Sequence, residues 1–365
     1  MKIKPTQNPS KAHRRLFLKF AAFLGLSNLL IIPFKSHAGG FLSFAFFKKR
    51  FNSIYTFTSH TFTTANTMGP SGPTLSALQS AYSSASWAQN TANFNVTNGI
   101  QSWTVPATGN YRVTLAGASA VRQYYSGTGL GSYYGRGALF TTDLNLTSGE
   151  VIKILVGQLP LWNGPVTTTD ALPTQQNSSY NCFNGGGGGT FVVRSNGNVL
   201  LAAAGGGGSQ RTNYTCVQSS MDAKTDFTAT GNNGGAGTGG SNGSGGTRGS
   251  PSDQGCSGAG FSGDGNASEG ASTAYYTFAK SFLNGGSGAT STISSNNPVP
   301  SGGFGGGGAG GWGGSGGGGG YSGGGGGTND SAAGFGGGGA NYSIGSNTSA
   351  VSLQTGQGYV TILKL

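Results

Sequence analysis

The chain has few of the groups on which enzymes rely. Only 8% of its 365 residues are charged; nine are carboxylates and three are histidines. His13 and His37 lie in the first 38 residues, so His60 is the only histidine beyond them. A Ser-His-acid triad would have to use it, and no Gly-x-Ser-x-Gly falls on a strand-to-helix turn, where such a nucleophile must sit. As a lone histidine in an alternating Thr/Phe stretch, it reads as a surface residue. No Gly-Lys-Ser or Gly-Lys-Thr occurs, which excludes a P-loop lysine, and the GxGxxG matches inside glycine runs lack alternating strands and helices around them. The three cysteines, Cys182, Cys216 and Cys256, fit neither a zinc site nor a CxxC redox pair. An odd count allows at most one disulfide within the chain. Cys182 and Cys216, which flank the glycine runs at 185–189 and 205–208, are the candidate pair. These absences point away from an enzyme and away from any cofactor.

The formal charge of +11 misleads. Seven of the 20 basic residues precede residue 39 and no acidic residue does, leaving 13 basic against 9 acidic residues beyond. The one basic run left, at 48–50, is too short for a phosphate-binding patch, so no nucleic-acid partner is expected. Residues 1–38 read as an export signal: a basic start, an apolar run over 20–34, and small residues at Ser36 and Ala38 before Gly39. Arg14 and Arg15 followed by Phe17, Leu18 and Lys19 resemble a bacterial twin-arginine signal, with the export machinery as partner. A general secretory signal and a retained membrane anchor are the other readings. All three take the protein to the periplasm, cell surface or exterior. Residues 39–53 then read as a linker.

What is abundant is alternation and glycine. Residues 55–62 alternate aromatic and polar side chains, the period of a half-buried strand. Leu75, Leu78 and Tyr82 have helical spacing. Residues 100–105 read as a strand turning at 106–109, with Tyr111, Val113 and Leu115 on one face of the strand that returns from it. Residues 139–146 alternate again, and 151–156 are apolar on both faces, as in a central strand. Residues 190–193 and 199–204 form a hairpin around the Ser-Asn-Gly-Asn turn at 195–198. An apolar island at 275–283 reads as a helix or strand. A last strand at 358–365 needs a sheet whose other strands lie before residue 205. The fold class expected is all-β, with a sandwich over 54–204 completed by 358–365 and a glycine-rich insertion over 205–357.

Inside that insertion, 25 of the 38 residues from 302 to 339 are glycine. FGGGGA at 304–309 recurs at 335–340, and Ala309, Trp312, Ser315 and Tyr321 fall on multiples of three with only glycine between them. A period of three matches an extended left-handed helix without internal hydrogen bonds. Such helices bundle, because their N–H and C=O groups must find partners on neighbouring chains.

Several of these landmarks, in order, resemble the glycine-rich module of the anaplastic lymphoma kinase and leukocyte tyrosine kinase receptor ectodomains. The matching pieces are GPSGPT at 69–74, GIQSWTVPATGNY at 99–111 and GEVIKILVGQ at 149–158. GGGGGTFVV at 185–193, LLAAAGGGG at 200–208, the 304–321 block and GYVTI at 358–362 follow. The resemblance spans about residues 54–365. It implies a tumour-necrosis-factor-like (jelly-roll) sandwich carrying an inserted bundle of polyglycine-II-type helices, and a general binding role. The receptors' kinase is missing, and so is their cysteine framework near the first strands, where Met68 and Leu78 stand.

Candidate binding residues are aromatic. Tyr124, Tyr125, Tyr133 and Tyr134 occupy a Gly/Ser loop of the kind recognition surfaces use. Trp312 and Tyr321, with Phe304, Phe335 and Tyr342, stand on or near the glycine bundle, as contacts for a partner or as packing against the sandwich. Asp222 and Asp226 read as solvated loop charges. Asp253, Asp264 and Glu269 offer oxygen ligands that match no calcium-loop spacing. The expectation is an adhesin-like module for an unknown protein or glycan. A self-associating matrix or filament component is the alternative; an ice-binding protein and a hydrolase built on His60 stand behind it.

Overall fold

Apolar alternation, interrupted by glycine and asparagine turns, divides the chain into short strands. The computed structural model describes residues 53–121, 123–125, 129–130, 133–161, 166–167, 174–177, 184–210, 216–248, 255–266, 277–290, 301–311, 314–328 and 334–365. In chain order the strands are β1 (Ser59–Phe62), β2 (Phe94–Thr97), β3 (Ile100–Thr104), β4 (Gly109–Ala116), β5 (Gln123–Tyr125) and β6 (Gly129–Leu130). Then come β7 (Gly137–Leu146), β8 (Val151–Leu155), β9 (Val166–Thr167), β10 (Thr174–Asn177), β11 (Thr190–Arg194) and β12 (Val199–Ala204). The series ends with β13 (Tyr342–Ser343), β14 (Ser352–Gln354) and β15 (Tyr359–Lys364). Among the described residues helix is scarce: α1 (Leu75–Ala81), the single turn α2 (Gln218–Met221) and short 3-10 turns. Among the described residues no helix is long and apolar enough to cross a membrane.

Two antiparallel sheets form the frame. The first orders its strands β1-β15-β4-β7-β14 and the second β13-β12-β11-β8-β3-β2. Between them lies one core, to which the first sheet gives Phe62, Tyr111, Val113, Leu115, Val360 and Ile362. The second gives Phe94, Trp103, Ile152, Ile154, Val192 and Leu201, all essentially inaccessible to solvent. The protein is therefore mostly β, with a sandwich-like core. A smaller sheet, β6-β5-β10-β9, carries a parallel pair between β5 and β10. The Thr74 hydroxyl caps α1 by accepting from the Ala77 N–H at 3.2 Å, and Leu78 anchors the helix in the core. The buried Gln101 amide is satisfied: its Nε2 donates to the Thr63 carbonyl, and its Oε1 accepts from the Tyr82 hydroxyl.

The 190–204 hairpin forms as its turn residues predict, with Gly197 and Asn198 in the left-handed region. The strand expected over 151–156 lies between β11 and β3, and β15 lies between β1 and β4. Three expectations need correction. First, the segment after 106–109 does not return alongside β3, because β3 and β4 lie in opposite sheets. Val105 donates to the Glu150 carbonyl and accepts from the Gly149 N–H, both at 2.9 Å, which ties the end of β3 to the start of β8. The chain then crosses the core, and the Tyr111 hydroxyl fastens the corner on the Ala107 carbonyl at 2.6 Å. Second, the strand expected over 55–62 pairs only over Ser59–Phe62. Third, the described part of the 275–283 island is irregular and ends in a 3-10 turn, Phe282–Asn284, with Phe282 packed 5.5 Å from the Phe191 ring.

The glycine-rich region covers the outer face of the second sheet. Leu155, Phe191, Val193, Leu200 and Ala203 point outward from that sheet, yet they are buried against Phe282 and Phe304. This explains strands that are apolar on both faces. Among the described residues, backbone groups of the glycine segments find partners on other segments of the same chain. Gly316 and Gly319 donate to Asn184 and Gly187, Gly317 donates to Cys256, and Gly318 to Gly337. Gly323 and Gly326 donate to Ser244 and Thr247, Gly324 and Gly327 to Gly318 and Ser315, and Gly325 to Asn232. Every third N–H thus returns to the same neighbouring segment.

Candidate functional site

The β2–β3 connection is a two-residue turn, Asn98 and Gly99, both with positive φ (49° and 81°) between the paired Thr97 and Ile100. Asparagine followed by glycine suits this tight hairpin because both tolerate the left-handed conformation. Gly99 also lets a second loop approach: a Cβ on Gly72 would meet the Gly99 Cα at 2.6 Å and the Phe304 ring at 2.7 Å. The loop at 71–75, the hairpin turn and the 284–287 turn enclose a groove of about 610 Å³. A second hollow of about 350 Å³ continues from it over the outer face of β2, β3 and β8, under Phe282 and Leu283. Asn98 and Gly285 border both.

The lining is polar but almost uncharged. Lys153, on β8, donates to Asn198 Oδ1 at 3.0 Å. Asn284 donates through Nδ2 to Asp264 Oδ1 at 2.9 Å. Asp264 also accepts from Lys280 Nζ and the Ser281 N–H, each at 2.9 Å. Burial opposes the charge of Asp264, but the Ser281 N–H, Asn284 and Lys280 outweigh it and hold the carboxyl below its usual range. These donors occupy the oxygens that a calcium ion would need, so Asp264 is a strut for the turn that roofs the groove. Asp253 and Glu269 lie outside the described residues.

The other described acids serve structure as well. Asp222 is buried, not solvated as expected, and accepts from the Arg136 N–H at 2.8 Å, its guanidinium at 2.6 Å and Gln218 at 2.8 Å. Asp226 turns instead to the Thr228 N–H and hydroxyl. Asp143 accepts from Arg112 at 2.9 and 3.1 Å and from Asn347, and the Arg112 contact holds its carboxyl below the usual range.

His60 departs furthest from expectation. It is half-buried in an aromatic cage, edge to face with Tyr82 at 4.4 Å and with Phe62 and Trp87 at 4.9 Å. Its Nε2 is buried without a hydrogen-bond partner, and burial lowers its pKa from 6.5 to about 4. Among the described residues no carboxylate bonds the ring to orient it as a base. The unfolded chain binds this proton below pH 6.5, whereas the folded chain resists it until about pH 4. The stability of the neutral form is therefore complete above pH 6.5 and is lost as the pH falls toward 4. Thermal melts should weaken across that window, and His60→Leu should flatten the decline; an unchanged slope in the variant would remove His60 as its cause.

Of the aromatic candidates, Tyr133 is 47% exposed, while Tyr134 is half-buried and shares a 3.0 Å hydrogen bond with Thr355. Tyr124 and Tyr125 lie on β5 beside β10; their side chains, and all of Trp312, fall outside the described part. Tyr321 packs on Tyr342 with ring centroids 4.5 Å apart. Phe304 and Phe335 are buried, and so are Ala309 and Ser315, so these residues pack and offer no exposed ridge. Cys182 lies outside the described residues, Cys216 is half-buried and Cys256 is buried. Arg14, Arg15, Phe17, Leu18, Lys19 and Ala38 also lie outside the described residues.

Asn98, Ser102 and Lys153 were not singled out by the sequence. The Asn-Gly pair between two alternating runs was the available signal, since it marks a tight turn that holds its asparagine outward. No protein-family model matches the chain, and no curated protein matches it.

Proposed function

We propose that the chain is an exported, non-enzymatic, adhesin-like module that binds a protein or glycan on a rigid glycine-rich scaffold. One observation carries this reading: a groove built from hairpin, loop and 3-10 turn presents neutral polar groups, while the described acids near the fold's surfaces are committed to arginine, lysine or backbone donors. Binding sites need such preorganised polar groups on rigid elements. In the same reading, the sheets make a tumour-necrosis-factor-like jelly roll, and the glycine segments are polyglycine-II-type helices. The three-residue recurrence of hydrogen-bond partners supports that helix type, as does its fit to three residues per turn.

Residues 1–38 would direct export through Arg14 and Arg15. Replacing both arginines by lysine is expected to leave most of the chain in the cytoplasmic fraction, with the unaltered chain recovered outside it. Equal distribution of the two would reject the twin-arginine route. The exported chain should then adhere to cell surfaces or immobilised surface polymers without chemically changing them; release of cleaved product would reject the non-enzymatic reading.

A further inference from the structure

The lining of the groove narrows what it takes, an inference that rests on the binding role proposed above. Asn98, Ser102, Asn198, Asn284 and Ser287 bring carboxamides and hydroxyls to it, and among the described residues Lys153 is its one cation and no carboxylate lines it. Among the described residues nothing hydrogen-bonds the Asn98 carboxamide, which stands where the two hollows meet. Asn284 keeps its Oδ1 open and Asn198 its Nδ2, since each is engaged only through its other atom. Between these groups lie aliphatic surfaces, from Ile100 and from Leu283, which is 46% exposed.

Uncharged donors and acceptors that alternate with aliphatic patches match a molecule with hydroxyl edges and C–H faces. The combined space lies in the roughly 300–1,000 Å³ range of ligand sites and is open along its length. An extended peptide would instead bind by adding a strand to a free sheet edge. The adjacent edge is β2, and its spare N–H groups are occupied: Phe94 donates to the Asn90 carbonyl at 3.0 Å and Val96 to Asn95 Oδ1 at 2.8 Å. We propose that the groove binds an oligosaccharide strand, with Asn98 contacting its hydroxyls at the waist and Lys153 admitting an acidic sugar beside neutral ones.

The test is calorimetric titration of the full chain with hexasaccharides of glucose, N-acetylglucosamine and galacturonate. Two variants accompany it. Asn98→Gly removes the carboxamide but keeps a residue that accepts positive φ, and Ser102→Trp fills the hollow from an outward-facing strand position. Thermal melts confirm that both variants fold. At least one hexasaccharide should bind, about tenfold more weakly to Asn98→Gly and without measurable affinity to Ser102→Trp. Equal binding by folded variants would overturn the groove assignment. No binding to any hexasaccharide would overturn the glycan assignment, and if the chain still adhered to cells the binding role itself would stand. Binding followed by cleavage would keep the glycan and reject only the non-enzymatic reading.

Discussion

Alanine at Gly319 is expected to destabilise the protein by about 4 kcal/mol or more, enough to remove most folded product. A Cβ there would stand 1.9 Å from the Gly305 carbonyl oxygen and 2.9 Å from the carbonyl carbon behind it. The obstacle is backbone, so no side chain can rotate away. Gly305 cannot retreat cheaply either, because its oxygen accepts from the Gly189 N–H at 2.9 Å. Gly319 is bound on both sides, donating to Gly187 at 3.0 Å and accepting from Gly206 at 2.7 Å. One methyl group therefore disturbs three segments that join the glycine layer to the ends of β11 and β12. Gly109 supplies the contrast. Its Cβ would meet only the Lys364 and Tyr111 side chains, at 3.8 and 3.9 Å, so Gly109→Ala should be neutral or stabilise by up to about 1 kcal/mol. Urea unfolding of both variants separates a packed layer from a linker, in which the two substitutions would behave alike.

That contrast marks what can be read from the letters and what cannot. The three-residue period was legible in the spacing of the non-glycine residues, two of which, Ala309 and Ser315, are buried. The destinations of the N–H groups were not: Gly316 bonds to Asn184 and Gly339 to Gly206, over 130 residues away, and glycine carries no side-chain pattern to identify a partner. The 190–204 hairpin was legible because its turn residues and its alternation agree. The crossing after Thr104 was not, since an X-Pro corner between two alternating runs reads equally well as a hairpin or as a passage between sheets. His60 followed the same logic. Its own segment reads as placing it on the surface, but its cage is built by Tyr82 and Trp87 from the helical segment that follows. The groove was the least legible feature. Its walls come from residues 71–75, 96–102, 153, 198, 282–287 and 304, which lie far apart in the chain and carry no shared local pattern.

Removing residues 359–365 is expected to abolish cooperative folding. β15 is not an edge: it pairs with β4 from Tyr359 opposite Ala116 to Lys364 opposite Tyr111, and with β1 along Ser59–Phe62. Its loss would leave β1 without a sheet partner and open the face of β4. It would also empty the core of Val360 and Ile362, both fully buried and in one cluster with Phe62, Tyr111 and Leu115. Truncating even one such side chain to alanine costs about 2–5 kcal/mol. Losing both, together with two ladders, exceeds the roughly 5–15 kcal/mol that holds an ordinary domain together. The same pairing makes folding slow, because Thr61 must find Thr361 across 300 residues before the first sheet can close. Deleting Leu365 alone is the control. That residue is 54% exposed and contributes one backbone bond to Asn110, so its removal should cost about 1 kcal/mol or less. Thermal unfolding followed by near-ultraviolet circular dichroism reads both, since Trp103 sits at the centre of the core. A seven-residue truncation that kept the transition of the full chain would show that the sandwich closes without its last strand. Loss of the transition would mean that the sheet holding β1 and β4 together depends on a strand supplied after residues 205–357.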